Sequence, residues 1–241
     1  MEQNQIYLGD AAELIKSLPN KSVDLIVTDP PYLGNYAGGG GNLTSLQYAD
    51  RIRSSGLYGG YDLKILSEFV RVLKKINIYI WCSRDQIYEY ITYFVKTLKC
   101  NWEMLIWHKT NPPPFVCGHY LKDKEYCLYF WETGVHLFPQ YDKAKTVYST
   151  PLNQKDGQLY GHPTIKNIDI IRNLITNSSE ENDVVLDPFI GSGTTAVACK
   201  QLGRNYIGFE INEEYYKIAT DRLKGITKLE REYEAEQIKL F

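Results

Sequence analysis

Two short apolar runs in the chain end in polar, loop-forming residues. The first run covers residues 24–29 (DLIVTD) and the second covers residues 183–187 (DVVLD). Both are rich in β-branched residues and bounded by Pro or Gly, which favours buried parallel strands over helices. Further strands are predicted over residues 6–8, 77–82, 102–107, 126–131 and 206–210.

Apolar residues recur at helical spacing between these strands. The spacing predicts helices over residues 66–73, 87–98 and 168–175, and the charged segment 213–241 predicts a terminal helix that packs or oligomerises. Strands that alternate with helices imply a doubly wound α/β sheet, in which ligands bind at the carboxyl ends of the strands. The chain has 241 residues, of which 44% are hydrophobic, so a single domain over residues 1–241 is predicted.

Three segments lack either periodicity: residues 33–60, 110–124 and 133–161. The first contains four consecutive glycines at positions 38–41 and borders the end of the first apolar run. This pattern predicts a mobile loop beside a functional site, with an insertion that has no function as the alternative.

Composition narrows the class of protein. No stretch approaches the roughly 18 to 20 apolar residues of a membrane-spanning helix, and the first ten residues do not resemble a signal peptide, so we expect a cytoplasmic protein without a membrane partner. Five cysteines without CxxC spacing and four histidines without ligand spacing predict neither a disulfide framework nor a metal site. The net charge of −2 is uneven, because residues 64–166 carry +5. This middle segment is either a phosphate-facing surface or an ordinary solvated face.

The residues that follow the first strand combine a carboxylate, a fixed carbonyl and an aromatic ring. They are Asp29, Pro30, Pro31 and Tyr32. A carboxylate and a carbonyl that accept hydrogen bonds from an exocyclic amino group would make its nitrogen more tetrahedral, and the ring would stack on the base. The prolines restrict the direction of the Pro30 carbonyl. The same tetrapeptide could equally form a simple turn.

The second strand leads into residues 191–196 (GSGTTA), where a glycine-containing turn opens a helix. Such a turn allows the backbone to approach a ligand closely. Glu210 ends the next predicted strand, where a carboxylate can accept hydrogen bonds from both hydroxyls of a ribose. The pattern suits a nucleotide-containing cofactor in general, NAD included.

Together these motifs resemble those of the DNA amino-methyltransferases. The family's catalytic box, Asp-Pro-Pro-Tyr, stands at residues 29–32, and its cofactor box, Asp-Pro-Phe-x-Gly-x-Gly-Thr, at residues 187–194. Gly9 and Asp10, residues 107–109 (WHK) and residues 162–166 (HPTIK) also match family motifs. The joint occurrence of these motifs, which cover most of the chain, is far more specific than any one of them.

The catalytic box precedes the cofactor box, as in the permuted, β-like class of this family. The resemblance therefore implies a Rossmann-like fold dependent on S-adenosylmethionine, with a mostly parallel sheet and one antiparallel strand near residues 126–131. It argues against NAD. It also implies catalytic roles for Asp29, Pro30, Pro31 and Tyr32, and a cofactor site formed by Asp10, Lys166, Asp187, Phe189, Gly191, Ser192, Gly193, Thr194 and Glu210.

Within that implied site, Glu210 would hold the ribose, Asp10 would lie near the adenine amino group and Lys166 would approach the cofactor carboxylate. Asp10 could instead cap a helix that begins at residue 11. Trp107 is interpreted as a core residue rather than part of the base pocket.

The expected substrate is double-stranded DNA, with the target base flipped out of the helix. Adenine N6 is favoured because the family's cytosine-N4 members more often carry Ser at the position of Asp29. Cytosine N4 is the alternative, and an RNA methyltransferase or a non-catalytic DNA-binding protein is less favoured. Segment 133–161 is expected to recognise the target sequence, helped by the loop over residues 33–60; its proposed reading residues are Lys143, Lys145, Tyr148 and Lys155. The protein could act as a homodimer.

Overall fold

The structure, a computed structural model, describes residues 1–32, 61–112, 114, 120–135, 141–162 and 164–238, the last five by their backbone alone. The loop predicted over residues 33–60 lies outside these ranges. Within them the chain forms a central sheet of eight strands flanked by helices. The strands are β1 Gln5–Leu8, β2 Leu25–Thr28, β3 Asn77–Cys82, β4 Asn101–Lys109, β5 Lys124–Trp131, β6 Val147–Thr150, β7 Val184–Asp187 and β8 Asn205–Glu210.

The strands are arranged in the order β1-β8-β7-β2-β3-β5-β4-β6. β5 pairs antiparallel with both β3 and β4, whereas the other paired neighbours in the described sheet run parallel. The prediction of a mostly parallel sheet with one antiparallel strand near residues 126–131 is therefore confirmed. The two strands whose ends carry the sequence motifs, β2 and β7, are direct neighbours at the centre of the sheet.

Helices cover both faces of the sheet. They are α1 Ala11–Leu14, α2 Ile65–Val72, α3 Ile87–Tyr90, α4 Gln154–Tyr160, α5 Ile168–Ser178, α6 Thr194–Leu202, α7 Glu213–Lys224 and α8 Lys228–Ile238. A 3₁₀ turn over Ile15–Ser17 continues α1, and a π-helix over Ile91–Thr97 continues α3.

The two cores follow from the alternation of side chains along each strand. Ile26 of β2 joins the core beneath α1, α2 and α3, whereas its neighbours Leu25 and Val27 join the core beneath α5 and α6. Since β2 is buried on both faces, it reads as a continuous apolar run. Trp107 is buried in the second core, where its indole N–H bonds to Thr150 Oγ1 at 2.7 Å.

Two segments differ from the predicted elements. The terminal segment predicted as one helix forms two, because α7 ends at Gly225, whose φ of +81° is left-handed. Segment 133–161, read as aperiodic, contains the edge strand β6 and the helix α4. Across the described ranges, no helix is both long enough and apolar enough to cross a bilayer.

Candidate active site

The carboxyl ends of β1, β2, β3, β7 and β8 surround a cavity of about 380 Å³. A cavity of this size is within the range that takes small-molecule ligands. The residues predicted for the site that line it are Asp10, Asp29, Pro31, Lys166, Asp187, Phe189, Gly191, Ser192, Thr194 and Glu210. Pro30, Tyr32 and Gly193 are not among the described residues that line this cavity. The sheet therefore brings the two motif-bearing strand ends to one site.

The glycine turn after β7 brings backbone to the cavity wall. Gly191 and Gly193 have φ values of +51° and +79°, which favour glycine. A Cβ atom on Gly193 would lie 3.0 Å from the Cβ of Ala219 on α7, so this glycine permits close packing of the turn against a helix. A Cβ atom on Gly191 would have no neighbour closer than 3.7 Å, to His162 Nε2. Gly191 thus keeps open a cradle that a side chain would fill.

Glu210, at the end of β8, is held by the backbone around it. Its Oε2 accepts the Gly191 N–H at 2.9 Å and its Oε1 accepts the Asn212 N–H at 2.8 Å. The residue is buried, and burial raises the pKa of its carboxyl. Each carboxylate oxygen has a second lone pair, so the group can still accept the two hydroxyls of a ribose. These features fit the cofactor implied by the sequence.

Asp187 lies at the end of β7, and both of its carboxylate oxygens accept hydrogen bonds from the turn that follows. Its Oδ1 accepts the Phe189 N–H at 3.2 Å and its Oδ2 accepts the Thr195 hydroxyl at 2.6 Å. Burial raises the pKa of this carboxyl to about 7. Asp187 therefore shapes the cofactor turn as well as lining the cavity.

Arg222, which sequence reasoning did not find, supports the same turn from α7. Its guanidinium donates to the Ser192 carbonyl at 3.2 Å and to Thr194 Oγ1 at 2.8 Å. The arginine is buried, lies 3.7 Å from Asp156 Oδ2 and stacks over the ring of Tyr160, both on α4. The cofactor turn is thus connected to the segment that contains α4.

Asp29 follows β2 and has two unlike oxygens. Its Oδ2 pairs with the Lys166 ammonium at 2.8 Å, whereas Oδ1 is buried and accepts no well-formed hydrogen bond from the described residues. Burial raises the pKa of this carboxyl, and Lys166 partly opposes that effect. The Tyr32 hydroxyl also favours the ionised form of this carboxyl. Asp29 lines the cavity, where a ligand can donate a further hydrogen bond to the carboxylate.

Lys166 is placed against the catalytic box. Besides Asp29, its ammonium donates to Tyr32 Oη at 3.1 Å and to Glu125 Oε2 at 2.6 Å. Burial would lower its pKa, but Asp29 and Glu125 outweigh burial and raise it. The sequence implied only a contact with the cofactor carboxylate, which stays a prediction. The ion pairs with Asp29 and Glu125 were not anticipated.

The proline and tyrosine positions of the catalytic box differ in their surroundings. Pro30 is buried, and the Pro31 carbonyl accepts a hydrogen bond from Gln86 Nε2 at 3.2 Å. Tyr32 packs against the second core, with its hydroxyl bonded to Lys166. The predicted stacking of a base on Tyr32 stays a prediction. The aromatic residues that line the cavity are Tyr61, Trp81, Phe189, Phe209 and Tyr215.

Asp10 and His162 line the cavity and also form hydrogen bonds that stabilise the local backbone. Asp10 caps α1 by accepting the Ala12 N–H at 2.7 Å and also lines the cavity, so the two alternatives for this residue are compatible. His162 is buried, accepts the Thr164 N–H at Nδ1 and contacts the Tyr215 ring at 4.3 Å between centroids.

The fold and the cavity define a class of protein. A mostly parallel sheet with β5 reversed, a glycine turn after β7 and a buried carboxylate at the end of β8 are the features of an S-adenosylmethionine-dependent methyltransferase. The chain belongs to the DNA methylase family of N6/N4 methyltransferases (N6_N4_Mtase), whose model matches residues 23–221. Its cofactor is S-adenosylmethionine, and DNA is its substrate.

Known proteins support this membership. A type II methyltransferase of Lactococcus lactis subsp. cremoris, M2.LlaDCHI, is 31% identical over 94% of this chain and 92% of its own length. The type II methyltransferase M.HinfI of Haemophilus influenzae is 33% identical over 92% of this chain and 69% of its own.

Solved structures share the fold. A crystal structure of the complex of M1.HpyAVI with S-adenosylmethionine has a TM-score of 0.66 and 28% identity, covering 91% of this chain and 99% of its own. The cytosine-N4-specific PvuII DNA methyltransferase has a TM-score of 0.68 over 92% of this chain and 86% of its own. At 18% identity, the latter likeness shows the fold alone.

Proposed function

We propose that the protein transfers the methyl group of S-adenosylmethionine to the N6 amino group of an adenine flipped out of double-stranded DNA. The observation that carries this proposal is the carboxylate of Asp29, which lines the cavity and is held by Lys166 through one of its oxygens. Oδ2 is held by Lys166, while the buried Oδ1 accepts no well-formed hydrogen bond from the described residues. The same cavity contains the cofactor turn, so an amino group bonded to the Asp29 carboxylate lies beside the cofactor site.

Asp29 orients the amino nitrogen rather than deprotonating it beforehand. By accepting one N–H, the carboxylate draws the nitrogen toward a tetrahedral geometry and turns its lone pair to the incoming methyl group. S-Adenosylmethionine, when bound, supplies an electrophilic methyl group on sulfur. As the N–C bond forms and the C–S bond breaks, positive charge develops on the amino nitrogen beside Asp29. The carboxylate stabilises that charge and then receives the proton.

Lys166 has a separate part in this scheme. Because its pKa is raised, the ammonium stays protonated and does not act as a base. Its charge favours the ionised form of Asp29 against the effect of burial, which raises the pKa of the carboxyl. Asp29 thus remains available as an acceptor in spite of its burial.

The choice of adenine over cytosine rests on the first position of the catalytic box. This chain has Asp29 there, whereas cytosine-N4 members of the family more often have Ser. The cytosine-N4 enzyme among the solved structures shares the fold only, so it carries no weight for the target base.

The DNA-facing surface is assigned to the cavity side of the sheet. Lys122 and Lys124 are exposed. In the strand register, Lys124 of β5 lies opposite His108, near the carboxyl end of β4. The exposed Lys155 lies on α4, which is linked to the cofactor turn through Arg222. Lysines so placed can neutralise phosphates on either side of a flipped base.

Part of segment 133–161 faces elsewhere. The Lys143 carbonyl accepts hydrogen bonds from Asn173 and Asn177, in the second half of α5. That helix ends at Ser178, whose carbonyl bonds to Asn77 at the start of β3, so Lys143 lies toward the amino ends of the strands. The Tyr148 hydroxyl bonds to Asn173 and is half-buried. We therefore assign target contacts in this segment to the part that follows β6.

Tritiated S-adenosylmethionine and unmethylated plasmid DNA test the proposal, with the labelled nucleoside identified after digestion. Label in N6-methyldeoxyadenosine is expected, and the Asp29→Ala variant should bind cofactor but transfer no label. N4-methyldeoxycytidine as the only product would refute the adenine assignment. If wild-type protein binds the cofactor but leaves the DNA unlabelled, methyl transfer to this DNA is refuted.

A further inference from the structure

Glu125 lies between two lysines at the catalytic end of the sheet. It belongs to β5, the antiparallel strand, and its side chain is 18% exposed. Oε1 pairs with Lys109 at 2.5 Å and Oε2 pairs with Lys166 at 2.6 Å. Burial alone would raise the pKa of Glu125, but the two ammonium groups outweigh burial and lower it to about 2. The carboxylate is therefore ionised throughout the physiological range of pH.

Among the described residues, the ammonium of Lys166 has as many acceptors as it has N–H donors. An ammonium carries three donors. Its three acceptors are Glu125 Oε2 at 2.6 Å, Asp29 Oδ2 at 2.8 Å and Tyr32 Oη at 3.1 Å. With every donor used, the position of the nitrogen is defined by these acceptors. Glu125 supplies the shortest of the three contacts.

Stability is a weak reason for such a cluster. Removing charged groups from water is costly, and well-packed apolar residues often replace a buried ion pair without loss of stability. The cluster of Glu125, Lys166 and Asp29 instead places a fixed cation on one oxygen of the catalytic carboxylate, Oδ2. A lysine side chain is long and flexible, so an anchor on its far side is what keeps it at that oxygen.

We propose that Glu125 is a positioning residue for methyl transfer, which holds the Lys166 ammonium on Oδ2 of Asp29 and thereby fixes the orientation of this carboxylate toward the target amino group. The inference rests on the proposed function of Asp29. Glu125 touches neither the base nor the cofactor in this scheme and acts through Lys166. When Glu125 is replaced, the ammonium loses an anionic partner and moves relative to Asp29, so the carboxylate loses its orientation.

The test compares kcat with cofactor binding in the Glu125→Gln variant. Methylation of unmethylated plasmid DNA should show a kcat about 100-fold lower, since a displacement of about 1 Å has that effect on a positioned group. The dissociation constant of S-adenosylhomocysteine, measured by calorimetry, should stay within about twofold of wild type. Glu103→Gln is the matched control, because Glu103 is an exposed carboxylate on the neighbouring strand β4 and the same change there should leave kcat unaltered.

A double-mutant cycle shows whether Glu125 acts through Lys166. The double variant, Glu125→Gln with Lys166→Met, should have a kcat within about threefold of Lys166→Met alone, because coupled residues are not additive. Multiplicative losses, an unaltered kcat in Glu125→Gln, or an equal loss of cofactor affinity would each overturn the proposal. If Glu125→Gln does not fold, Glu125→Asp takes its place, with kcat again expected to fall while cofactor binding is kept. Wild-type protein without activity would refute the proposed function instead.

Discussion

Arg222 donates a hydrogen bond to Oγ1 of Thr194 at 2.8 Å, which joins α7 to the first residue of α6. The same guanidinium bonds to the Ser192 carbonyl and lies over the ring of Tyr160. Three separate parts of the chain are thus fixed around the turn that approaches the cofactor. The conformation of this turn depends on a buried cation as well as on its glycines.

The Arg222→Met variant should therefore bind S-adenosylmethionine at least about tenfold more weakly, because hydrogen bonds from a charged donor contribute about 1.5 to 3 kcal/mol each. Calorimetric titration with S-adenosylhomocysteine measures the effect. Arg172→Met is the control, since Arg172 is 45% exposed and its ion pair with Asp169 lies within α5. Equal affinity for S-adenosylhomocysteine in the two variants would show that Arg222 does not support cofactor binding.

Three glycine-to-alanine variants distinguish the steric clash of an added Cβ from the backbone strain of a left-handed φ. Gly193→Ala should lower stability most, because its Cβ would meet Ala219 at 3.0 Å in addition to a φ of +79°. Gly225→Ala has a φ of +81°, and its Cβ would have no atom of the described residues within 4 Å, so it should show only the left-handed strain of about 1 to 2 kcal/mol. Urea unfolding of the two variants measures the difference.

Gly191→Ala is expected to behave differently from both. Its Cβ would fit without a clash, with His162 Nε2 the nearest described atom at 3.7 Å, but it would stand in the cavity wall. Stability should fall about as much as in Gly225→Ala, whereas cofactor affinity should fall strongly. Normal cofactor binding by Gly191→Ala would show that the cradle is not used.

The strands were predictable because their signals are local. Residues 77–82 were predicted as a strand and form β3 with the same bounds. The Gly225 break also had a local signal, a glycine followed by residues that do not continue the apolar stripe, and a single terminal helix was the wrong prediction. β6 (VYST) lies at the sheet edge and has no buried residue, so it lacks the apolar run that marked the equally short β2 and β7.

The side-chain contacts of the site were less predictable, because they join distant positions. Lys166 and Glu125 are 41 positions apart, and Arg222 and Thr194 are 28 apart. No spacing rule connects such pairs, and they depend on which strands become neighbours. Motif resemblance placed Asp29 and Glu210 at one site, but it did not reveal that Lys166 pairs with Asp29.

Asp187 should make the free energy of unfolding depend on pH at values above the pKa of an ordinary carboxyl. Its pKa is raised from 3.8 to about 7 by burial, so between those values the folded chain holds a proton that the unfolded chain has released. Its contribution to stability therefore falls as the pH rises from about 4 to about 7, by up to about 1.4 kcal/mol per pH unit. Glu125 acts in the opposite sense, with stability lost only as the pH falls from 4.5 toward about 2.

Unfolding in urea between pH 5 and pH 8 isolates Asp187 when wild type is compared with a variant at this position, because the raised pKa values of Asp29 and Glu210 contribute to both proteins. The Asp187→Asn variant cannot titrate at this position, so its free energy of unfolding should decline less than that of wild type as the pH rises. Measurements without cofactor avoid linkage to binding. Parallel curves for the two proteins would mean that Asp187 titrates near its ordinary pKa.

The salt dependence of DNA binding tests which end of the sheet faces DNA. Lys124 is exposed beside the carboxyl end of β4, whereas the exposed Lys143 lies toward the amino ends of the strands. If Lys124 contacts a phosphate, Lys124→Gln should weaken DNA binding and reduce the slope of log K against log salt by about 1. Lys143→Gln removes the same charge and should change neither quantity. The reverse result would move the DNA to the opposite side of the sheet and would conflict with base flipping into the Asp29 cavity, since that cavity opens at the carboxyl ends of the strands.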